Sequence, residues 1–574
     1  MNGPQGRSDV SRPNETLTDL LAGTVAADAE ATAIIDGGER PRRVSRGELW
    51  RRTVALREDL RARGVGTGDC VGVWLPNWSE SLVWQFAAAS LGAHVIGVNT
   101  RYGVDDVAHV LDRARPAVVA VAHDFLDLDL AGTLASAVDR ADTAPPSVAV
   151  VAGPAGCGPR DDRTPGDEGS GVDAPDVSDD GVLPRYDVGA GAWVPSGWDV
   201  TAPLDPEVLR GVPDELAVAF TTSGSTGRPK LAAHRGSAVA AHARNVAAAG
   251  DWDAMSVSLI VLPLSGVFGY VPAITAIGAG GAALLEPRFD PALVLRHMAE
   301  FGVTHLACAD DVVGRLMASW RDEPVAVPAW RRMLMADFYG DSLEASAWAE
   351  DDTGTPAMGV YGSSEVFSLV AFWRVHDAAP ERWRGGGRPV SPAIGVRAVD
   401  PVTGESPAEG EPGELQFRGY PVVDAYLGDH DGSIRSRSFT ADGWFRSGDL
   451  GLVRDDGSFD YLCRMGDSLR LKGFLVEPAE IELRIAEHAG VVRAKVVGVP
   501  VAGETRTVAF VEPDPDAGEA LDPEELREWC ARTLARFKVP HLVQVIDEMP
   551  MTVGTNGSKI RTTELRERAR RLLA

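Results

Sequence analysis

The sequence predicts an α/β protein, with a large multi-layer amino-terminal domain and a small α+β domain at the carboxyl end. Three observations predict it. Short β-branched runs alternate with Ala/Leu/Arg-rich helical segments through the first part, which implies βαβ units and mostly parallel sheet. Between Gly387 and Tyr420 the chain turns Gly/Pro-rich and β-like, as expected of an added β unit with hairpins. After about Arg464 a fresh βα pattern begins.

The elements follow in order. CVGVWLP (Cys70–Pro76) reads as a buried strand, SLVWQFAAASLGA (Ser81–Ala93) as a helix and HVIGVN (His94–Asn99) as the next strand. DVAHVLDRAR (Asp106–Arg115) and AVVAVA (Ala117–Ala122) repeat the alternation. From about Gly153 to Val200 the composition shifts to Gly, Pro, Asp and Ser, and a flexible, acidic surface insertion is expected there. Ala254–Leu285 carries no charged side chain. Its Pro and Gly interruptions fit a buried strand, loop, helix and strand better than a membrane span. In the last part LRLKGFLVEPAEIELRIAEH, AKVVGVP, TVAFVEP, a helix from Glu524 to Arg536 and LVQVID complete the small domain. The expected division is 1–464 and 465–574.

Composition excludes several functions. The chain of 574 residues has 56 Lys+Arg against 83 Asp+Glu, a formal charge of −27. Such a field repels nucleic-acid backbones and anionic lipid surfaces, so neither is an expected partner. The five cysteines are scattered without a CxxC pair, which supports neither a disulfide framework nor a thiolate zinc site. The amino terminus lacks the apolar core of a signal peptide, and a reducing cytoplasm fits best.

Four segments carry chemistry. In AFTTSGSTGRPKLAAH (Ala219–His234) a buried strand runs into Thr222, Ser223, Gly224, Ser225, Thr226, Gly227 and Lys230. Small residues free backbone N–H groups to wrap oxyanions, and the hydroxyls add donors that reach phosphate or metal-bound water. Composition alone leaves a phosphate cradle and a plain loop between strand and helix equally open. In MGVYGSSEVFSLV (Met358–Val370) a strand ends in Tyr361, and an aromatic there can stack a base while a carboxylate such as Glu365 can hold Mg²⁺; a lone YGSSE is more often an ordinary turn and helix cap. Asp449 and Arg464 lie 15 residues apart across an expected hairpin, where an Asp can accept from two ribose hydroxyls, although the piece alone reads first as an acidic hairpin turn. Finally, Lys559 sits on a Gly-rich loop before a terminal helix.

In this order and spacing, TTSGSTGRPK, YGSSE, GWFRSGDLG and KGFLVEPAEIE resemble the adenylate-forming superfamily: acyl-CoA synthetases, aryl-CoA ligases, luciferases and peptide-synthetase adenylation domains. The resemblance spans about Leu17 to Leu573. It implies that Thr222, Ser223, Gly224, Ser225, Thr226, Gly227 and Lys230 order the ATP β/γ-phosphates. Tyr361 would stack adenine, Glu365 and Thr226 would serve Mg²⁺, and Asp449 with Arg464 would hold the ribose. Lys559 would bridge the substrate carboxylate and the α-phosphate. The resemblance further implies that the small domain is mobile, hinged at Gly466, and that Lys472–Pro478 lines a thiol tunnel.

The implied activity is ATP-dependent activation of a carboxylic acid as an acyl- or aryl-adenylate, then thioester formation with CoA. The alternative is an adenylating enzyme serving a carrier protein or an amine, or a diazotase-like enzyme activating nitrite. Departures from the family pattern bear on the acid. Gly266 stands where an aromatic or His gate is usual. Val267 stands where amino-acid-activating relatives carry Asp, so α-amino acids are not expected. MADFYGDSL (Met335–Leu343) is bulkier than usual, and Asp337 is open to either a pocket role or a turn role. The closing motif is also longer than usual before Lys559. His234, placed at a helix start, and His305 are expected to be structural.

Overall fold

The structure, a computed structural model, describes the chain except residues 1–8, 13, 124, 127, 155–191, 223–228, 339–340, 402, 409, 466–468, 472–473, 477, 502–503, 516–520, 535–537, 555–556 and 574. For 470, 474–476, 480, 500, 504, 552–554 and 557–559 it describes the backbone alone.

The βα reading of the first part holds closely. Strand Cys70–Trp74, helix Ser79–Ser90, strand His94–Gly97, helix Val104–Ala114 and strand Val118–Ala122 follow one another. The three strands pair in parallel. With Ser147–Val151 and Leu216–Thr221 they make most of a seven-stranded sheet, completed by two antiparallel strands, Leu231–Arg235 and Ala425–Tyr426.

A second sheet of thirteen strands, among the described residues, joins a parallel half to an antiparallel half. The parallel half includes Val257–Ile260, Ala282–Leu285, His305–Ala309, Arg332–Ala336 and Ala357–Tyr361. The antiparallel half contains Gly386–Pro389, Gly395–Val399, Gly413–Arg418, Phe445–Val453 and Phe459–Arg464. The expected β unit is therefore one end of this large sheet.

Between the sheets lies helix Ser79–Ser90, buried at every position and touching strands of both. Its sequence, SESLVWQFAAAS, lacks a polar stripe, as an element covered on all sides requires. The uncharged stretch resolves into strand Val257–Ile260, helix Val267–Gly278 and strand Ala282–Leu285. Among the described residues no helix is long and apolar enough to cross a membrane.

The carboxyl-terminal part has its own sheet, in which Val491–Val501 and Glu504–Pro513 pair antiparallel and Leu542–Val545 joins in parallel. One continuous hydrophobic core gathers buried residues from Leu17 to Phe459, and two smaller cores draw only on residues from Leu469 to Ala569.

Two expectations need correction. The expected surface insertion ends early, because Trp193 bridges Ala149 in the sheet, packs on Trp84 at 6.0 Å and carries the Arg63 guanidinium over its ring. Trp198 is buried as well. Burying two large aromatics repays the ordering of these residues. The helix expected over Glu524–Arg536 closes at Ala531, where turns take over. Cys70, Cys308, Cys463 and Cys530 are free and buried, and Cys157 lies outside the described residues.

Candidate functional site

Strand Leu216–Thr221 leads into the Ser/Thr/Gly loop and is paired on both sides. The loop does not run from strand to helix as expected. It returns into strand Leu231–Arg235, antiparallel to the first, with Thr221 opposite Leu231. The Thr222 N–H donates to the Lys230 carbonyl at 2.8 Å and closes the loop base. Ser223, Gly224, Ser225, Thr226 and Gly227 lie outside the described residues. The flanks are anchored: the Tyr102 and Thr221 hydroxyls are 2.7 Å apart, and His109 Nε2 donates to the Pro229 carbonyl at 2.8 Å. The Lys230 ammonium lies 5.4 Å from the ring centre of Tyr426 and 3.5 Å from Ser438 Oγ.

Glu365 sits on a tight turn after strand Ala357–Tyr361. A Cβ on Gly362 would stand 2.6 Å from the Ser368 Cα, so only glycine fits there. Phe367, Ser368 and Leu369 all have positive φ, at 60°, 47° and 42°. Each such residue costs on the order of 1 kcal/mol, so the turn needs external support.

Two buried histidines give that support. His234 Nε2 donates to the Ser364 carbonyl and His242 Nε2 to the Ser368 carbonyl, both at 2.7 Å. The Phe367 ring packs against both imidazoles, at 4.5 and 5.3 Å. His234 was expected at a helix start. It lies instead on strand Leu231–Arg235, and its structural role runs through the turn that carries Glu365. Replacing His234 with Leu should orphan the Ser364 carbonyl and lower unfolding free energy by about 1–3 kcal/mol. His234→Gln, whose amide can donate to the same oxygen, should recover most of it in urea titrations. Equal losses in both variants would remove the hydrogen bond from the account.

Tyr361, Asp449 and Arg464 come together as expected. Asp449 pairs directly with Arg464 across the antiparallel strands. Its Oδ1 accepts from Arg464 Nη1 at 2.7 Å and its Oδ2 from the Tyr361 hydroxyl at 2.6 Å. Arg464 Nη1 also donates to the Ser447 carbonyl. Burial, and then the Asp449 carboxylate, push the Tyr361 phenol well up, so it stays a neutral donor. Phe417 stacks on the Tyr361 ring at 5.2 Å and 17°, so an adenine would have to use the opposite face.

Lys559 is on a strand and not on a loop. Gly557–Ile560 pairs with Met551–Gly554, and Thr552 stands opposite Lys559. The Lys559 side chain lies outside the described residues, as do Gly466, Lys472, Gly473 and Glu477.

Around the departures from the family pattern, Gly266 caps helix Val267–Gly278 and Val267 is buried as its first residue. Asp337 is exposed. The buried carboxylate nearby is Asp310, which accepts from the N–H groups of Phe338 and Asp341 and so shapes the turn after strand Arg332–Ala336. His305 is structural: Nε2 donates to the Gly250 carbonyl, and the ring stacks on Trp252 at 4.1 Å.

Burial holds His94, His234, His242 and His305 down at about 4, from an ordinary 6.5. Between those values the unfolded chain takes up protons that the folded chain refuses, so stability falls as pH drops. Glu80 acts in the opposite sense. Burial pushes it up to about 7 despite its ion pair with Arg52, and its contribution is present at low pH and lost as pH rises through that value. Four histidines outweigh it. Unfolding free energy should fall by about 3 kcal/mol from about pH 7.5 to about pH 5.5. Urea titrations at the two pH values that gave equal stability would contradict this.

Residues 21–427 match the AMP-binding enzyme family, and residues 480–554 match the AMP-binding enzyme C-terminal domain. A methyl-dioxo-octahydro-indenyl propanoyl:CoA ligase of Mycobacterium tuberculosis is 30% identical, the match covering 91% of this chain and 94% of that protein. A feruloyl-CoA synthase of an Amycolatopsis species is 28% identical over 94% of this chain and 96% of that protein. ATP-bound MatB from Rhodopseudomonas palustris superposes with a TM-score of 0.77 at 25% identity, covering 98% of this chain and all of that one. The chain belongs to the AMP-binding, adenylate-forming enzyme family, and its fold is that of the family.

Proposed function

We propose that this member of the AMP-binding enzymes activates a carboxylic acid as its acyl- or aryl-adenylate with Mg·ATP and then transfers the acyl group to CoA. The observation that carries the reading is the Tyr361–Asp449–Arg464 cluster, which offers a ring face, a buried carboxylate and a guanidinium side by side. The CoA ligases among the relatives support the choice of acceptor.

In this reading the substrate carboxylate attacks the α-phosphorus and no side-chain nucleophile takes part. Two anions must meet, and Lys559 supplies the cation at their junction. Thr222, Ser223, Gly224, Ser225, Thr226, Gly227 and Lys230 hold the outgoing phosphates. Asp449 and Arg464 hold the ribose, and Tyr361 the adenine. Among the described residues no three carboxylate, imidazole or thiol side chains gather as a metal cage. A Mg²⁺ at Glu365 and Thr226 would complete its shell with phosphate and water oxygens, which suits this ion and would offset phosphate charge. The mobile unit begins at 465, hinged at Gly466, with Lys472–Pro478 lining the thiol path. A buried, uncharged Val267 offers an α-ammonium group no partner, so the acid is not an α-amino acid. The cytoplasm, with its CoA and ATP, is the expected location.

ATP–pyrophosphate exchange with a panel of acids tests the first half-reaction. Product analysis with and without CoA tests the second. Exchange without any thioester would move the acceptor to a carrier protein or an amine, or the substrate to an oxyacid such as nitrite.

A further inference from the structure

Asp449 is carried on a β-bulge. Where strand Gly413–Arg418 pairs with strand Phe445–Val453, Glu414 stands opposite Leu450 and Gln416 opposite Arg446, so Leu415 alone faces Ser447, Gly448 and Asp449. Such a bulge re-aims side chains, but it also takes backbone groups out of the ladder, and these need other partners. Gly448 has a φ of 70°, which glycine adopts without strain.

The two peptides that precede Asp449 are held at both ends. In the first, the Ser447 carbonyl accepts from Arg464 Nη1 at 2.9 Å, and the Gly448 N–H donates to Glu414 Oε1 at 3.3 Å. In the second, the Gly448 carbonyl accepts the Met465 N–H at 2.9 Å, and the Asp449 N–H donates to Ser447 Oγ at 3.0 Å. A peptide is planar, so holding its two ends sets its orientation and the direction in which the next side chain leaves.

Of these holders Glu414 is the one whose placement is unfavourable in itself. It is 5% exposed, and the Arg446 guanidinium stands off at 3.6 Å. Its closer partners are neutral amides: the Gly448 N–H, and Gln416 Nε2 at 2.9 Å. Gln416 is itself fixed, since its Oε1 accepts from Arg397 Nε at 3.0 Å. Burying a carboxylate among neutral donors opposes folding, and the backbone ladder needs no charge at this position. What the carboxylate adds is an acceptor aimed into the bulge.

We propose that Glu414 is a positioning residue of the nucleotide site: it fixes the Ser447–Gly448 peptide and so aims Asp449 at the two ribose hydroxyls of ATP and AMP. The proposal rests on the reading of Tyr361, Asp449 and Arg464 as the nucleotide site. Glu414 acts through Asp449 and makes no contact with the nucleotide.

Glu414→Ala and Glu414→Gln test it, each alone and on the Asp449→Asn background. Equilibrium binding of ATP, AMP and inorganic pyrophosphate is measured with Mg²⁺ present, on protein shown by urea titration to be folded. Glu414→Ala should weaken ATP and AMP by the same factor, about tenfold, and leave pyrophosphate, which has no ribose, unchanged. Glu414→Gln, whose carbonyl oxygen can still accept the Gly448 N–H, should bind both nucleotides within about threefold of wild type. On the Asp449→Asn background Glu414→Ala should cost less than about a further twofold, because the group it positions has gone. Unchanged nucleotide affinity in Glu414→Ala, pyrophosphate weakened in step with ATP, equal losses in Ala and Gln, or losses that add to those of Asp449→Asn would each overturn the proposal. A wild-type protein that bound neither ATP nor AMP, or an Asp449→Asn variant that bound both normally, would instead overturn the reading of the cluster, and this proposal with it.

Discussion

Lys559→Ala should lower adenylate formation by about a hundredfold or more while ATP affinity changes by no more than about threefold. The reasoning is electrostatic. A carboxylate approaching a phosphate meets like charge, and the repulsion is greatest where the new P–O bond forms. A cation at that junction acts on the transition state far more than on either bound ground state, so its loss appears in rate. Removing one such donor typically costs about 10²–10³ in rate. The strand pairing Gly557–Ile560 with Met551–Gly554 fixes the backbone that carries Lys559, so alanine removes the charge without removing the hairpin. Single-turnover adenylate formation and ATP binding, measured on the same preparation, separate the two effects. Adenylate made at the wild-type rate would show that another group holds the junction. ATP affinity lost in proportion to rate would make Lys559 a ground-state phosphate ligand.

The parts of the fold that depend on local pattern were legible in the sequence. Strands such as Val118–Ala122, and the uncharged helix Val267–Gly278, announce themselves by composition and length. The spacing of Asp449 and Arg464 also sufficed, because a hairpin converts sequence distance into direct register. LAAHRGSAVAAHARN misled, because alanine-rich text has no period that separates strand from helix. Leu231–Arg235 becomes a strand only because Leu216–Thr221 and Ala425–Tyr426 lie on either side of it.

The supports of the site were illegible for a related reason. His234 and His242 meet their carbonyls 130 and 126 residues away, and Asp310 reaches backbone donors 28 and 31 residues away. A buried polar group is defined by its partner, and no periodicity reports one at such a distance. The carbonyl-bound histidines did leave one sign, since an alanine-rich run with two imidazoles eight positions apart needs buried acceptors somewhere.

Asp449→Asn should raise the KM for ATP by about ten- to a hundredfold and leave kcat much closer to wild type. Asp449 is buried, and each carboxylate oxygen already accepts one bond, from Arg464 and from the Tyr361 hydroxyl. Each oxygen keeps a further acceptor site, which is what two ribose hydroxyls require. Asparagine preserves shape but offers one acceptor and one donor group. Its –NH₂ must then face either the Arg464 guanidinium or the Tyr361 hydroxyl, and it cannot accept from a ribose O–H. Charge-assisted hydrogen bonds to a buried carboxylate contribute about 1.5–3 kcal/mol each, and about 1.4 kcal/mol is tenfold in affinity. Arg464 would lose its partner, but it is 44% exposed on its side chain and water can take over, so stability should fall by no more than about 1 kcal/mol. The ribose lies away from the reacting α-phosphorus, so lost binding should appear in KM before it appears in rate. AMP affinity should fall by the same factor as ATP affinity, since both carry the ribose. If AMP bound Asp449→Asn normally, the carboxylate would be a structural link between Tyr361 and Arg464 and the ribose would have to be held elsewhere.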